Sequence, residues 1–190
     1  MKEKLENLSV AIRLVLVGLV IFSIMYPVSL GLLGKIWDDS AGGSLIYYEN
    51  EVVGSKLIGQ DFDDPRYFHG RPSSIDYDAM KSGSKNLSPQ NPELSNRVRV
   101  DLEGLSKYLE NGKVPAVLIT ESGSALDPHI TTQSAIFQIP KISQNTGIPE
   151  ENLKSLIEEY AEEPFLGIYG LERVNVLRLN IELKKLMGGQ

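Results

Sequence analysis

Residues 14–33 form an unbroken run of twenty uncharged positions, LVLVGLVIFSIMYPVSLGLL, thirteen of them Leu, Ile, Val or Phe. As a helix this run is about 30 Å long, the thickness of a bilayer's hydrocarbon core. Each of the thirteen favours insertion by about 0.3–0.6 kcal/mol near the centre, so the sum reaches several kcal/mol. A cleaved signal peptide has a shorter apolar core and a small-x-small cleavage site after it. Here Lys35-Ile36-Trp37 follows instead. The pattern therefore predicts an uncleaved transmembrane helix over 14–33. Pro27 lies inside it and removes one backbone donor. Ser23, Pro27 and Gly31 recur every four residues and form a stripe of small residues, a surface that suits a second membrane helix.

Beyond the span the pattern changes. Residues 40–92 are dense in Gly, Ser, Pro, Asn and Asp, which predicts short strands between ordered loops, with SLIYYENEVV as the strand candidate. Asn91-Pro92-Glu93 reads as an N-cap, a first-turn proline and a first-turn acid. Leu94, Val98, Leu102, Leu105 and Leu109 follow at helical spacing, and Asn111-Gly112 stops them. VPAVLIT (114–120) has the length of a buried strand. A second helix is expected over 131–144, bent or broken at Pro140, and a third from Pro149 through Leu153, Leu156, Ile157 and Tyr160. VNVLRLN (174–180) predicts a strand flowing into a terminal helix. The expected architecture is mixed, α+β. A short N-terminus (1–13) and the membrane helix (14–33) precede one compact α/β-type domain (34–190).

Charge sets an expected orientation. Lys2, Lys4 and Arg13 precede the span, whereas only Lys35 lies in the next twenty residues, beside Asp38 and Asp39. The positive-inside rule places the N-terminus in the cytoplasm and the domain outside, in a single-pass protein of the cell (inner) membrane. Beyond Leu33 sixteen basic and twenty-three acidic residues leave a net charge of −7. No basic cluster marks a nucleic-acid face. With no cysteine in the chain, disulfides, thiolate metal sites and a cysteine nucleophile are excluded.

The densest chemistry lies in SGSALDPHI (122–130), which offers Ser122, Gly123, Ser124, Asp127 and His129. A Ser–His–Asp triad draws its members from distant parts of a chain, and these are too close together. ESGSA also misses the G-x-S-x-G elbow. A metal site would have to be assembled in space from His69 or His129 with Asp61, Asp63, Asp64 and Asp127, and no ligand spacing demands one. A phosphate loop is the third option, from GSKLIGQ (54–60) or SGSALDPHI ahead of a helix N-terminus. Neither carries the G-K-[ST] of a Walker loop. The residues favour a strand-to-helix turn in which Gly123 gives backbone freedom and Asp127-Pro128 directs the helix start. In YFHGRPSS (67–74), Arg71 is suited to clamping a carboxylate or phosphate or to stapling its own loop by binding backbone carbonyls, the second being the commoner use.

Taken together, these segments resemble one family. A span ending in a YP and small-residue segment is followed by GSKLIGQ with Phe62, then YFHGRPSS with Tyr77 and a Gly/Ser/Asn loop. VPAVLIT, SGSALDPHI and RVNVLRLN complete the order. The set is similar to the C subunit of Kdp-type potassium-transporting ATPases over nearly the whole chain. It departs from that pattern at Lys85, at Ala125 where glycine is usual, and at Lys141 where arginine is usual. The resemblance implies a non-catalytic accessory subunit without a metal or catalytic residue of its own. Its expected partners are a channel-like potassium-binding subunit, an ATP-hydrolysing P-type subunit and a small membrane peptide, which it helps to assemble. The resemblance further implies a catalytic chaperone that raises ATP affinity, with ATP reached through the hydrolysing partner. ATP is cytoplasmic, whereas the charge bias puts SGSALDPHI outside, so either the orientation is the reverse or such an effect travels through membrane contacts, and the second is the expectation here. The alternative is a membrane-anchored extracytoplasmic hydrolase using Ser122 or Ser124.

Overall fold

The computed structural model describes residues 2–106 and 113–188, and the chain divides into two compact units, the first ending at Ser44 and the second beginning at Leu45. Helix α1 (Lys2–Leu19) opens the first unit and continues through a π-helical turn at Val20–Met25 into α2 (Tyr26–Gly34). A 3₁₀ turn (Lys35–Trp37) and the short α3 (Asp38–Ala41) complete it. The helical stretch Glu3–Trp37 is long and apolar enough to cross a membrane, and no side chain in its most apolar window is buried. It exceeds the expected 14–33 span because the charged flanks are helical too.

The π turn lies just before Pro27, the residue that cannot donate to a carbonyl one turn back. Widening the turn re-registers the bonds: the Tyr26 N–H reaches the Ile21 carbonyl, five residues back. The Ser29 hydroxyl donates to the Met25 carbonyl at 2.7 Å. Ser23, Pro27 and Gly31 are all exposed.

In the second unit, SLIYYENEVV is two strands rather than one. Strands β1 (Leu45–Tyr48) and β2 (Glu51–Ser55) pair antiparallel around Glu49-Asn50, whose φ values of 52° and 66° make a two-residue turn. Gly54 sits at φ 156° where the ladder slips, and a Cβ there would strike the Gln60 side chain at 2.2 Å. Helix α4 (Pro92–Ser106) starts as expected, with the Asn91 side chain accepting the Glu93 N–H at 2.8 Å. The expected continuation to Leu109 and the stop at Asn111-Gly112 lie outside the described residues.

VPAVLIT is not a strand. Pro115 brings no N–H to a ladder, and its carbonyl instead accepts from Leu118 at 3.0 Å, closing a 3₁₀ turn at Ala116–Leu118 that buries Leu118. Strand β3 (His129–Thr131) leads into α5 (Thr132–Thr146), capped by the Thr131 hydroxyl on the Ser134 N–H, so Asp127-Pro128 does not start that helix. Helix α5 runs unbroken through Pro140 and ends on Gly147 at φ 75°. Helix α6 (Glu150–Glu159) follows Pro149, and β4 (Ala161–Glu162) follows α6. VNVLRLN divides early: only β5 (Arg173–Asn175) is extended, and α7 (Val176–Gly188) begins at Val176. Strand order β3-β5-β4 is antiparallel throughout.

The core forms where α5, α6 and α7 cover this small sheet. Ile130, Ile142, Leu153, Ile157, Val174 and Leu183 are all essentially inaccessible to solvent. Burial of an aliphatic side chain of this kind stabilises by about 1.5–3 kcal/mol.

Candidate functional site

Residues 56–90 contain no regular strand or helix, yet Phe68 is fully buried among them. Buried backbone needs partners, and three side-chain amides on distant elements supply them. From α7, Asn180 accepts the Phe68 N–H at 2.8 Å and donates to the Phe68 carbonyl at 2.9 Å. From α5, Gln138 does the same for His69, at 2.8 and 3.1 Å. From β5, Asn175 donates to the Lys56 carbonyl at 2.8 Å. Sequence reasoning missed these residues. Their signal was available: Gln138 and Asn180 fall on the apolar faces of α5 and α7, where a polar side chain needs a reason.

So held, the loop meets SGSALDPHI. Gly59 donates to the Leu126 carbonyl at 2.7 Å, and a Cβ there would lie 2.8 Å from the Asp127 carbonyl oxygen. Gly83 donates to the Ser124 carbonyl at 3.0 Å and Val176 to the Pro128 carbonyl at 2.9 Å. Arg71 donates to the carbonyls of Thr120 and Glu121, at 3.2 and 2.9 Å, and to the Asp127 carboxylate at 3.1 Å. The bond to a carboxylate is one of the uses expected of it; the carbonyls it binds belong to a distant segment and not to its own loop. The Tyr77 hydroxyl donates to the Arg71 carbonyl. From α4, Arg97 donates to the Ile119 carbonyl at 3.3 Å and lies 3.3 Å from the Glu121 carboxylate.

The candidate chemical groups take part in this knot. Ser122 is buried; its hydroxyl accepts the Asp127 N–H at 3.4 Å and lies 3.4 Å from the Ser124 hydroxyl. Ser124 also accepts the Leu126 N–H. Asp127 accepts the His129 N–H at 3.0 Å, and its carboxylate lies 3.4 Å from His129 Nδ1, with Glu162 3.8 Å from Nε2. Burial alone would push the Asp127 carboxyl up, but bonds from His129 and Arg71 hold it below the usual carboxylate range. Among the described residues neither serine hydroxyl bonds a histidine ring. Gly123 does not adopt the left-handed conformation. Ala125 does, at φ 59° and buried, which explains why glycine suits that position and corrects the turn expected at Gly123.

Beside the knot lies a cleft of about 420 Å³ lined by residues including Asp61, His69, Arg71, Tyr77, Asp101 and Lys141. Lys141 Nζ is 2.6 Å from His69 Nε2. Burial, then the Lys141 charge, lowers the His69 pKa, so the imidazole is held neutral and accepts from the ammonium. Burial lowers that of Lys141 as well. Burial, reinforced by Asp61, pushes Tyr77 up to about 12. The cleft is therefore lined by a neutral phenol, a neutral imidazole and charged side chains, of which Arg71 is paired with Asp127 and Asp101 with Arg97.

A family profile described as K+-transporting ATPase, c chain (KdpC) matches residues 8–185. The chain is 48% identical over 192 aligned positions to the potassium-transporting ATPase KdpC subunit of Bacillus cereus (strain Q1), covering 98% of this chain and all of that relative. It is 47% identical over the same span to the potassium-transporting ATPase KdpC subunit of Bacillus mycoides (strain KBAB4), with equal coverage.

Proposed function

Because the chain belongs to the KdpC family, we propose that it is the non-catalytic accessory subunit of an ATP-driven potassium-uptake complex, holding that complex together rather than performing its chemistry. The observation that carries this reading is how the SGSALDPHI loop uses its groups. The carbonyls of residues 119, 120, 121, 124, 126 and 128 are taken by Arg97, Arg71, Gly83, Gly59 and Val176. Ser122, Ser124, Asp127 and His129 bind one another and the loop backbone. These residues have the character of a rigid fastening, and among the described residues the hydrolase alternative finds no histidine ring bonded to either serine.

In this reading the apolar rod is a membrane anchor with its N-terminus in the cytoplasm. The second unit lies outside, and the Ser23, Pro27, Gly31 stripe faces a helix of the channel-like, ATP-hydrolysing or small-peptide subunit. Any rise in ATP affinity is then a coupling between sites, carried through membrane contacts, and not a shared nucleotide site. The test is a reconstituted complex with and without the chain, read by potassium uptake at low external potassium and by co-purification of the other subunits. Loss of both on omission is expected. The Ser122→Ala/Ser124→Ala double variant is expected to keep uptake once its folding is verified. Abolished uptake in that folded variant would return the case to a hydrolase.

A further inference from the structure

Between β4 and β5, residues 164–171 (PFLGIYGL) fold into a tight hairpin of their own. Phe165 and Tyr169 exchange backbone hydrogen bonds at 2.8 and 3.0 Å, and Gly167 donates to the Pro164 carbonyl at 2.8 Å. Its five large apolar side chains point into solvent: Phe165 is 72% exposed, Leu166 73%, Ile168 77%, Tyr169 67% and Leu171 75%. Leu166 is held at φ 55°, a conformation disfavoured for any residue with a Cβ. The second unit gains nothing for its own core from this display. Scattered exposed leucines need no explanation, but a contiguous apolar tip marks a docking element.

Charge decides between lipid and protein. From residue 159 to 173 the hairpin is flanked by Glu159, Glu162, Glu163 and Glu172 against Arg173 alone. Arg173 is bound to Glu162 at 3.1 Å, and Glu163 and Glu172 make no ion pair among the described residues. Elements that dock on lipid surround their apolar face with Lys and Arg, whereas this collar is glutamate. An apolar pocket with a basic rim complements both the tip and its surround.

We propose that hairpin 164–171 is a plug that seats in an apolar, basic-rimmed pocket on another protein subunit of the potassium-transporting complex. This rests on the accessory-subunit reading above. Its backbone is already closed by internal bonds, so little conformational entropy remains to be lost on docking.

The test places a photoreactive benzoylphenylalanine at Leu166 of the full chain in membranes containing the complex. Adducts are mapped by mass spectrometry, with and without Glu163→Lys/Glu172→Lys. One adduct on a different subunit is expected, beside Lys or Arg, with its yield reduced about fivefold or more by the charge reversal. Phe165→Ser/Ile168→Ser is expected to weaken retention of the chain in the solubilised complex at least tenfold while leaving its near-UV spectrum unchanged. A lipid adduct whose yield rises on charge reversal would overturn the proposal, as would a self-adduct or none. A complex that persists without the chain refutes the accessory reading instead. A complex that needs the chain but yields a lipid adduct refutes only the plug.

Discussion

Replacing Arg71 by methionine keeps the aliphatic stem and removes the guanidinium that ties YFHGRPSS to SGSALDPHI. Three hydrogen bonds disappear, to the carbonyls of Thr120 and Glu121 and to the Asp127 carboxylate. The two charged side chains are 23% and 30% exposed, so water screens the pair only in part. Hydrogen bonds to charged groups contribute about 1.5–3 kcal/mol each when fully desolvated. Since the three share one cation in a half-wet site, about 3 kcal/mol in total is expected. For a chain of this size that is a fall of about 6–12 °C in Tm. Arg71→Lys is expected to regain about 1 kcal/mol, because an ammonium cannot span three acceptors in a planar fork. The assay is thermal unfolding of the full chain in detergent, followed by tyrosine near-UV circular dichroism. Seven of the eight tyrosines lie beyond Ser44, so the tyrosine signal reports mainly on the second unit. A shift below about 2 °C for Arg71→Met would refute the idea that this arginine holds the loops together.

Gly59→Ala forces a Cβ to 2.8 Å from a backbone oxygen that cannot rotate away, and is expected to cost about 2 kcal/mol or more by urea titration. Asn180→Leu leaves the buried N–H and carbonyl of Phe68 without partners, and about 3 kcal/mol is expected by the same titration. His69 is held neutral, its pKa below 6.5, so the unfolded chain binds more protons at mildly acidic pH. Its contribution to stability is therefore complete above pH 6.5 and is lost as pH falls below that value. The urea midpoint is expected to be lower at pH 5.5 than at 7.5, and less so in Lys141→Gln, where the repelling ammonium is gone.

Local chemistry was legible in the sequence wherever a few adjacent residues decide the outcome. The apolar rod, the Asn91-Pro92-Glu93 helix start and the helix after Pro149 all follow from neighbouring side chains. The errors arose where long-range partners decide. VPAVLIT has the composition of a strand, but Pro115 denies it a ladder and Leu118 finds the core through a 3₁₀ turn. SLIYYENEVV hides a turn at Glu49-Asn50 because glutamate is an unusual residue at positive φ. The knot itself was visible only as separate motifs. Joining GSKLIGQ, YFHGRPSS and SGSALDPHI requires Arg71 to reach about fifty residues along the chain, and Asn180 more than a hundred. No local periodicity records such distances. The 164–171 hairpin went unremarked because an apolar run between glutamates resembles a piece of core until its exposure is known.

The chain contains no cysteine, so a single introduced thiol reports its own side of the membrane without background. Met80, 92% exposed in the second unit, is the site of choice, with Glu6 on the opposite flank of the span as control. In intact cells with an opened outer envelope, a membrane-impermeant maleimide is expected to label Met80→Cys at once, and Glu6→Cys only after the membrane is permeabilised. Labelling of Glu6→Cys from outside with Met80→Cys protected would contradict the orientation, and with it the separation of this subunit's folded part from the nucleotide.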